Sequence, residues 1–344
     1  MQKKLSIKDI ARELNISATA VSFILNGKAK EKRISAEVVK KVEKFVAKTG
    51  YKPNSLARSL RTGKTHTIAL MIEDIANPFF ANIARQIEEK AYKSGYKIIY
   101  SSSDNNSEKT KELIQMYRER HVDGYIITPP EDIKTEINAL IAAGLPVVLF
   151  DRSVPDTDCD SVVINNEQST YEAARHLTQQ GFKNIAFITL NSLQSQMQDR
   201  LNGYERALAE KKLTSSVKEL SYASVTDSEE LIRHISAFLK RKPELDGVLF
   251  GTNYIGVSGL KAIRNMGLNI PGDLAVVSFD DHDVFQLNSP SITAISQPIE
   301  KIAEKLITLL LGRLTSTAKP KAGRSIVLPA ELIIRNSSKI VKGK

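Results

Sequence analysis

The chain has 344 residues, enough for more than one ordinary domain, and 42% are apolar, which excludes a disordered chain. Cys159 is the single cysteine, so an internal disulfide is excluded. A reducing compartment is favoured; no apolar h-region follows the basic start and no run approaches the ~20 apolar residues of a membrane span, so a cytoplasmic protein with no membrane partner is expected. The net charge is +10, and its excess lies early: residues 1–64 carry 16 Lys/Arg against 5 Asp/Glu, a net of +11, whereas the remainder carries 33 against 34.

A basic stretch on a near-neutral body points to a polyanion partner for that stretch alone; a solvated Lys-rich surface is the alternative. Ser6 and Asp9 have capping-box spacing, and Ile7, Ile10, Ala11 and Leu14 then share one helix face. After a turn at Asn15 and Ile16, Ser17 caps a second helix in SATAVSFILNG. Val21, Ile24 and Leu25 are expected inward there, and Ala18, Thr19 and Ser22 outward. Ser35 caps a third helix with a stripe of Val38, Val39, Val42, Phe45 and Val46 that ends at Gly50. This is a helix-turn-helix layout, and a helix of small residues flanked by charge suits a major groove about 12 Å wide. A plain three-helix bundle with a polar surface is the alternative. YKPNSLARSLRTGKT, residues 51–65, reads as a helix from Asn54 to Arg61 with Leu56 and Leu60 on one side. Alone it is too short to be stable; it either folds against a partner, presenting an apolar minor-groove wedge, or is a frayed basic linker.

From Thr67 onward apolar strands alternate with amphipathic helices. Strands are expected at TIALMIED, KIIYSS, DGYIIT and PVVLFD, and the rhythm restarts at SVVI, NIAFIT, ELSYA, DGVLFGT and LAVVSFDD. VDGYIIT at 122–128 is echoed by LDGVLFG at 245–251. Two similar α/β halves predict two lobes with parallel sheets and a cleft between them. Ligands of such sheets bind outside the strand carboxyl ends, near Asp74, Asp151 with Arg152, Asn253, and Asp280 with Asp281. GxGxxG, Walker A and GxSxG motifs and Cys/His metal spacings do not occur, so neither an enzyme nor a cofactor is expected. Asp280-Asp281-His282-Asp283 is read as a solvated loop with one ligand contact rather than a metal site.

Taken in order, IKDIARELNISATAVSFILNG, TGYKPNSLARSLRTGKT, IEDIANPFF, FDR at 150–152, RLNGYERAL at 200–208 and VVSFDD at 276–281 make the chain resemble the LacI/GalR transcriptional regulators. The resemblance implies an α/β protein with a helix-turn-helix headpiece over 1–50 and a hinge helix over 51–65. A two-lobed, periplasmic-binding-protein-like core would follow over 66–340. It implies a homodimer on a palindromic double-stranded DNA operator, acting as a repressor. Its effector would be a small molecule in the cleft, a sugar or sugar derivative. By the same resemblance Ala18 and Thr19 face bases, Ser22 and Asn26 lie near the backbone, and Ser6, Lys8 and Ser17 contact phosphates. Tyr51 and Asn54 lie near the hinge, and Leu60, with Ala57 beside it, wedges into the minor groove. Phe79, Arg200, Asn253 and Asp280 match effector-contacting positions, and Asp74 and Asp151 match cleft-lining ones. Carboxylates, an amide and an Arg suit hydroxyl groups, and Phe79 suits the apolar face of a sugar ring. An interlobe ion pair is the alternative for Arg200 and Asp280.

The sequence departs from the pattern in places. Phe23 stands where the family often has an Arg that reads a base. It cannot make a bidentate guanine contact, so it either meets a thymine methyl or turns back onto the headpiece. GKAKEKRI puts eight residues between Asn26 and Ser35 where five are usual, and its Lys28, Lys30, Lys32 and Arg33 are expected to add phosphate contacts. Tyr254 follows Asn253 where an Asp is common. The terminal SSKIVKGK has no leucine heptads, so no tetramerisation helix is expected.

Overall fold

A computed structural model describes residues 5–51, 59, 63–222, 227–316 and 322–339. The chain divides into two compact units, residues 1–65 and 66–344.

The first unit holds α1 (Ile7–Leu14), α2 (Ala18–Leu25) and α3 (Ala36–Thr49). Each starts on the serine that the sequence marks. Ser6 and Asp9 form the full capping box, Ser17 accepts from the Ala20 N–H, and Ser35 from that of Val38. Asn15 and Gly50 close α1 and α3 in left-handed conformations, with φ of +52° and +62°. Ile10, Val21 and Val42 are fully buried, one from each helix, and Ala11 and Ile24 complete their core. Helices this short are stable only through such shared burial.

The second unit opens with β1 (Thr67–Ile72), α4 (Pro78–Lys93), β2 (Lys97–Ser102), α5 (Ser107–Glu119), β3 (Gly124–Ile127), α6 (Lys134–Ala142), β4 (Val147–Phe150) and β5 (Asp160–Ile164). The chain continues through α7 (Asn166–Gln180), β6 (Ile185–Leu190), α8 (Ser195–Glu210), β7 (Ser216–Leu220), α9 (Ser228–Arg241), β8 (Gly247–Phe250), α10 (Asn253–Asn265), β9 (Ala275–Phe279), α11 (Asp283–Leu287) and β10 (Thr293–Ser296). It ends with α12 (Ile299–Thr315), β11 (Ser325–Leu328), β12 (Glu331–Ile333) and a 3-10 turn at Asn336–Ser338.

The strands form two sheets, ordered β2-β1-β3-β4-β5-β11 and β7-β6-β8-β9-β10-β12. Neighbours pair in parallel except β10 with β12. The second order repeats the first, so the echo between residues 122–128 and 245–251 marks equivalent central strands, β3 and β8. Both are fully buried, as strands covered on two faces must be.

Two sequence expectations are corrected here. SVVI does not restart the pattern: β5 is the fifth strand of the first sheet, pairing with β4. The strand expected at ELSYA lies earlier, as β7 over Ser216–Leu220, because Val217 and Leu220 are the residues it packs inward and Tyr222 falls beyond its end. The chain also crosses between lobes three times. It passes from β5 to α7, returns from β10 to α12, and leaves again from β11 to β12. Helix α12 packs on α4 and against the first sheet. In α8, Gly203 permits the close crossing with α7, since a Cβ there would lie 2.1 Å from the Glu167 carbonyl oxygen.

Candidate functional site: an outward helix face and an interlobe cleft

Successive helical residues turn by about 100°, so Thr19, Phe23 and Asn26 share one face of α2. Thr19 and Asn26 are exposed, Phe23 and Ala18 half-buried. Ser22 does not lie outward as expected; it is buried. One step behind Phe23, it falls on the side of Val21, and its carbonyl accepts from Asn26 Nδ2 at 2.6 Å. Asn26 therefore uses its amide to close the helix end. Ser6, Lys8 and Ser17 are exposed, with the two serines engaged as caps, and Tyr51 is half-buried against the headpiece core. Asn54, Ala57 and Leu60 lie outside the described residues.

The second site collects the loops that follow the strand carboxyl ends. Arg152, after β4, is buried and donates to Glu73 Oε2 at 2.6 Å, to Asp151 Oδ2 at 3.0 Å and to Asn105 Oδ1 at 3.0 Å. Burial works against its charge, but the carboxylates of Asp151 and Glu73 outweigh it and raise its pKa. In the other lobe Arg200 lies 3.5 Å from the Phe279 ring centroid and donates to Asn166 Oδ1 and the Gly251 carbonyl, both at 2.8 Å. Asp280 accepts from Gln297 Nε2 at 2.6 Å; burial pushes its carboxyl pKa up, against the pull of Arg200. Arg200 and Asp280 belong to the same lobe, so an interlobe ion pair is not what they make. The lobes are instead joined by neutral and mixed contacts. Asn77 and Asn253 exchange amide hydrogen bonds at 2.8 and 3.3 Å, Gln194 donates to Asn105 at 2.7 Å, and Glu131 accepts from Ser192 Oγ and the Leu193 N–H.

The candidate residues divide among separate spaces, and Phe79 and Asp280 also border one of about 110 Å³ beside Asp281, His282 and Asp283. A central cavity of about 30 Å³ is lined by Phe79, Asp151, Arg200 and Asp280, as the family resemblance implies. Asp74 and Asn253 face a different space of about 310 Å³, which they share with Asn77, Tyr222, Tyr254 and Lys261. Asp74 turns away because its Oδ1 accepts from the Ala76 N–H two residues on. Glu73 reaches the centre in its place. Sequence reasoning missed Glu73, although β1 ends at Ile72 and the rule of looking just past a strand end would have found it. It also missed Gln194 and Gln196. Gln196 lines the centre, and its buried Oε1 has no hydrogen-bond partner among the described residues. Burial, then the charge of Glu73, raises the pKa of the Tyr222 and Tyr254 phenols. The Asp280–Asp283 loop has structural employment: Asp281 pairs with Arg335 at 2.7 Å, and His282 Nδ1 caps α11. Among the described residues no group of three or more His, Cys, Asp or Glu is placed to hold a metal, and no helix is long and apolar enough to cross a membrane.

Residues 6–54 match the bacterial regulatory proteins of the lacI family, and residues 174–338 match the periplasmic binding protein-like domain. The HTH-type transcriptional regulator RegA of Clostridium saccharobutylicum is 33% identical over 97% of this chain and 99% of its own length. The ribose operon repressor of Haemophilus influenzae is 29% identical over 96% and 98%. The Lac repressor dimer bound to operator and the anti-inducer ONPF superposes with a TM-score of 0.84 at 22% identity, over 98% of this chain and 100% of that one. A capped three-helix headpiece, a doubled parallel sheet with its cleft, and relatives of this identity along the whole length have one reading: the chain belongs to the lacI family of bacterial transcriptional regulators.

Proposed function

We propose that this regulator is a cytoplasmic repressor that binds a palindromic operator as a homodimer, without cofactor or catalytic step. Residues 1–50 read DNA, residues 51–65 form the hinge, and residues 66–340 bind the effector and dimerise. The observation that carries the DNA reading is the outward face Thr19–Phe23–Asn26 on a capped helix within the stretch that holds all the excess positive charge. Ala18 and Thr19 contact bases there, and Ser6, Lys8 and Ser17 contact phosphates.

The effector is a neutral, polyhydroxylated molecule of the sugar class. Glu73 and Asp151 are both engaged by Arg152, and with Arg200 in the same lining the two carboxylates face two cations. Asp280, Arg200 and the unpartnered Gln196 oxygen then offer acceptors and donors for hydroxyl groups. Sugar control also fits the relationship to a ribose operon repressor. A ligand pocket usually measures about 300–1,000 Å³, so a cavity of about 30 Å³ admits the effector only once the lobes part.

The full-length protein is expected to select a palindrome from a randomised DNA library, with log affinity falling steeply and linearly with log salt. Salt-insensitive binding, or no selected sequence, overturns the DNA reading. Pentoses, hexoses and disaccharides screened by thermal shift are expected to include one that raises the melting temperature.

A further inference from the structure

The eight-residue segment between Asn26 and Ser35 is an ordered element built onto the DNA-reading helix. The Lys28 N–H donates to the Phe23 carbonyl at 2.9 Å, so the segment starts on a carbonyl that the end of α2 leaves open. Its own turn is closed by Lys32 N–H to the Lys28 carbonyl at 3.0 Å and Ile34 N–H to the Ala29 carbonyl at 2.9 Å. Ala29 and Ile34 pack against the headpiece core, while Lys28, Lys30, Lys32 and Arg33 are exposed. Apolar residues inside and four cations outside make a shaped, charged surface beside the helix. The segment then returns over the outward face: Lys32 Nζ sits 5.5 Å from the centroid of the Phe23 ring, and 3.2 Å from Glu31.

We infer that this segment is a second DNA-contacting element in which Lys28, Lys30 and Arg33 grip backbone phosphates and Lys32 holds the Phe23 ring against a thymine methyl. The inference rests on the DNA reading above. Phe23 is the middle residue of the Thr19–Phe23–Asn26 face, and its ring has no group able to hydrogen-bond a base edge. The apolar feature that the major groove offers such a ring is the 5-methyl of thymine. Turning back onto the headpiece would bury Phe23, yet the ring stays half-exposed with a cation over it. One ammonium group at the ring thus links base reading to phosphate grip.

The test uses the full-length dimer and the operator it selects. Replacing Lys28, Lys30 and Arg33 by Gln is expected to lower the slope of log affinity against log salt by about 0.9 for each phosphate no longer neutralised, with the selected sequence unchanged. Uracil in place of thymine at the symmetric pair of positions read by Phe23 removes only the methyl, and is expected to weaken binding about fourfold per half-site, the worth of one buried methyl. That weakening should vanish in Phe23→Ala, whose salt slope stays unchanged. Lys32→Gln is expected to weaken the thymine preference while the slope stays unchanged, and a thymine preference equal to that of the wild type overturns the role of Lys32. An unchanged slope in the triple variant overturns the phosphate grip. A wild-type operator indifferent to uracil at every thymine overturns the methyl contact, and needs no variant to fold. A wild-type protein that selects no sequence overturns the DNA reading itself, and the inference with it.

Discussion

Asp151 and Asp280 end equivalent strands, β4 and β9, and both adopt the left-handed backbone region, with φ of +71° and +63°. Non-glycine residues enter that region at a cost, and aspartate is among those that tolerate it best. The two halves therefore repeat a functional turn as well as a fold. Asp151 shares the Arg152 guanidinium with Glu73, whereas burial raises the pKa of Asp280. Between the ordinary carboxyl value of 3.8 and that raised value, the folded chain holds a proton that the unfolded chain has released. Stability is then lost as pH rises through the window. Asp280→Asn cannot ionise, so its melting temperature relative to wild type should climb between pH 4 and pH 7. A constant difference across that range would show that Asp280 does not titrate there. The same variant is expected to blunt the response to effector while operator affinity stays within about twofold, measured with and without the sugar found by thermal shift.

At the scale of elements, the capped helices were legible because caps and periodicity are local signals. Ser6, Ser17 and Ser35 are each followed by the helix they announce. What the sequence hid was long-range. Helix α12 and strand β11 return to the first lobe from far along the chain, and β5 belongs to that lobe although its pattern reads as a new beginning. No local spacing distinguishes a strand that joins the sheet before it from one that starts the next. Asp74 shows the same limit at the cleft: a hydrogen bond to Ala76 decides where it points, not its place after a strand. The return of α12 is fixed by Arg313, which grips Asp160 of β5 at 2.8 and 2.9 Å. Burial opposes the Asp160 charge, but the Arg313 hydrogen bonds and the Arg324 N–H outweigh it and hold its pKa below 3.8. That contribution is present above pH 3.8 and is lost as pH falls through the lower, folded value. Asp160→Asn should cost about 1.5–3 kcal/mol at pH 7, measured by urea unfolding, and the deficit should shrink in strong acid.

For the whole molecule, the closed cleft is held by side chains that border the space awaiting the effector. Asn77 with Asn253 and Gln194 with Asn105 bridge the lobes through amides, and Asn77 and Gln194 line the centre together with Asp280, Arg200 and Gln196. A closed arrangement held in part by these hydrogen bonds is shifted by about 1–2 kcal/mol when one is removed. Asn77→Ala is expected to favour parted lobes, increasing the radius of gyration in small-angle scattering and tightening apparent effector affinity about five- to thirtyfold. An unchanged radius together with unchanged effector affinity would mean that the amide pair does not control opening.

The three crossings between the lobes give this opening its character. A single tether would let one lobe swing, roll and twist freely on the other. Here the crossings leave from β5 and β11, side by side in one sheet, and from β10, which lies beside β12 in the other. Three links set close together restrict the ways in which one lobe can move on the other, as the knuckles of a door hinge do. A ligand in the cleft then needs differential affinity for only a narrow set of arrangements to shift the balance between them.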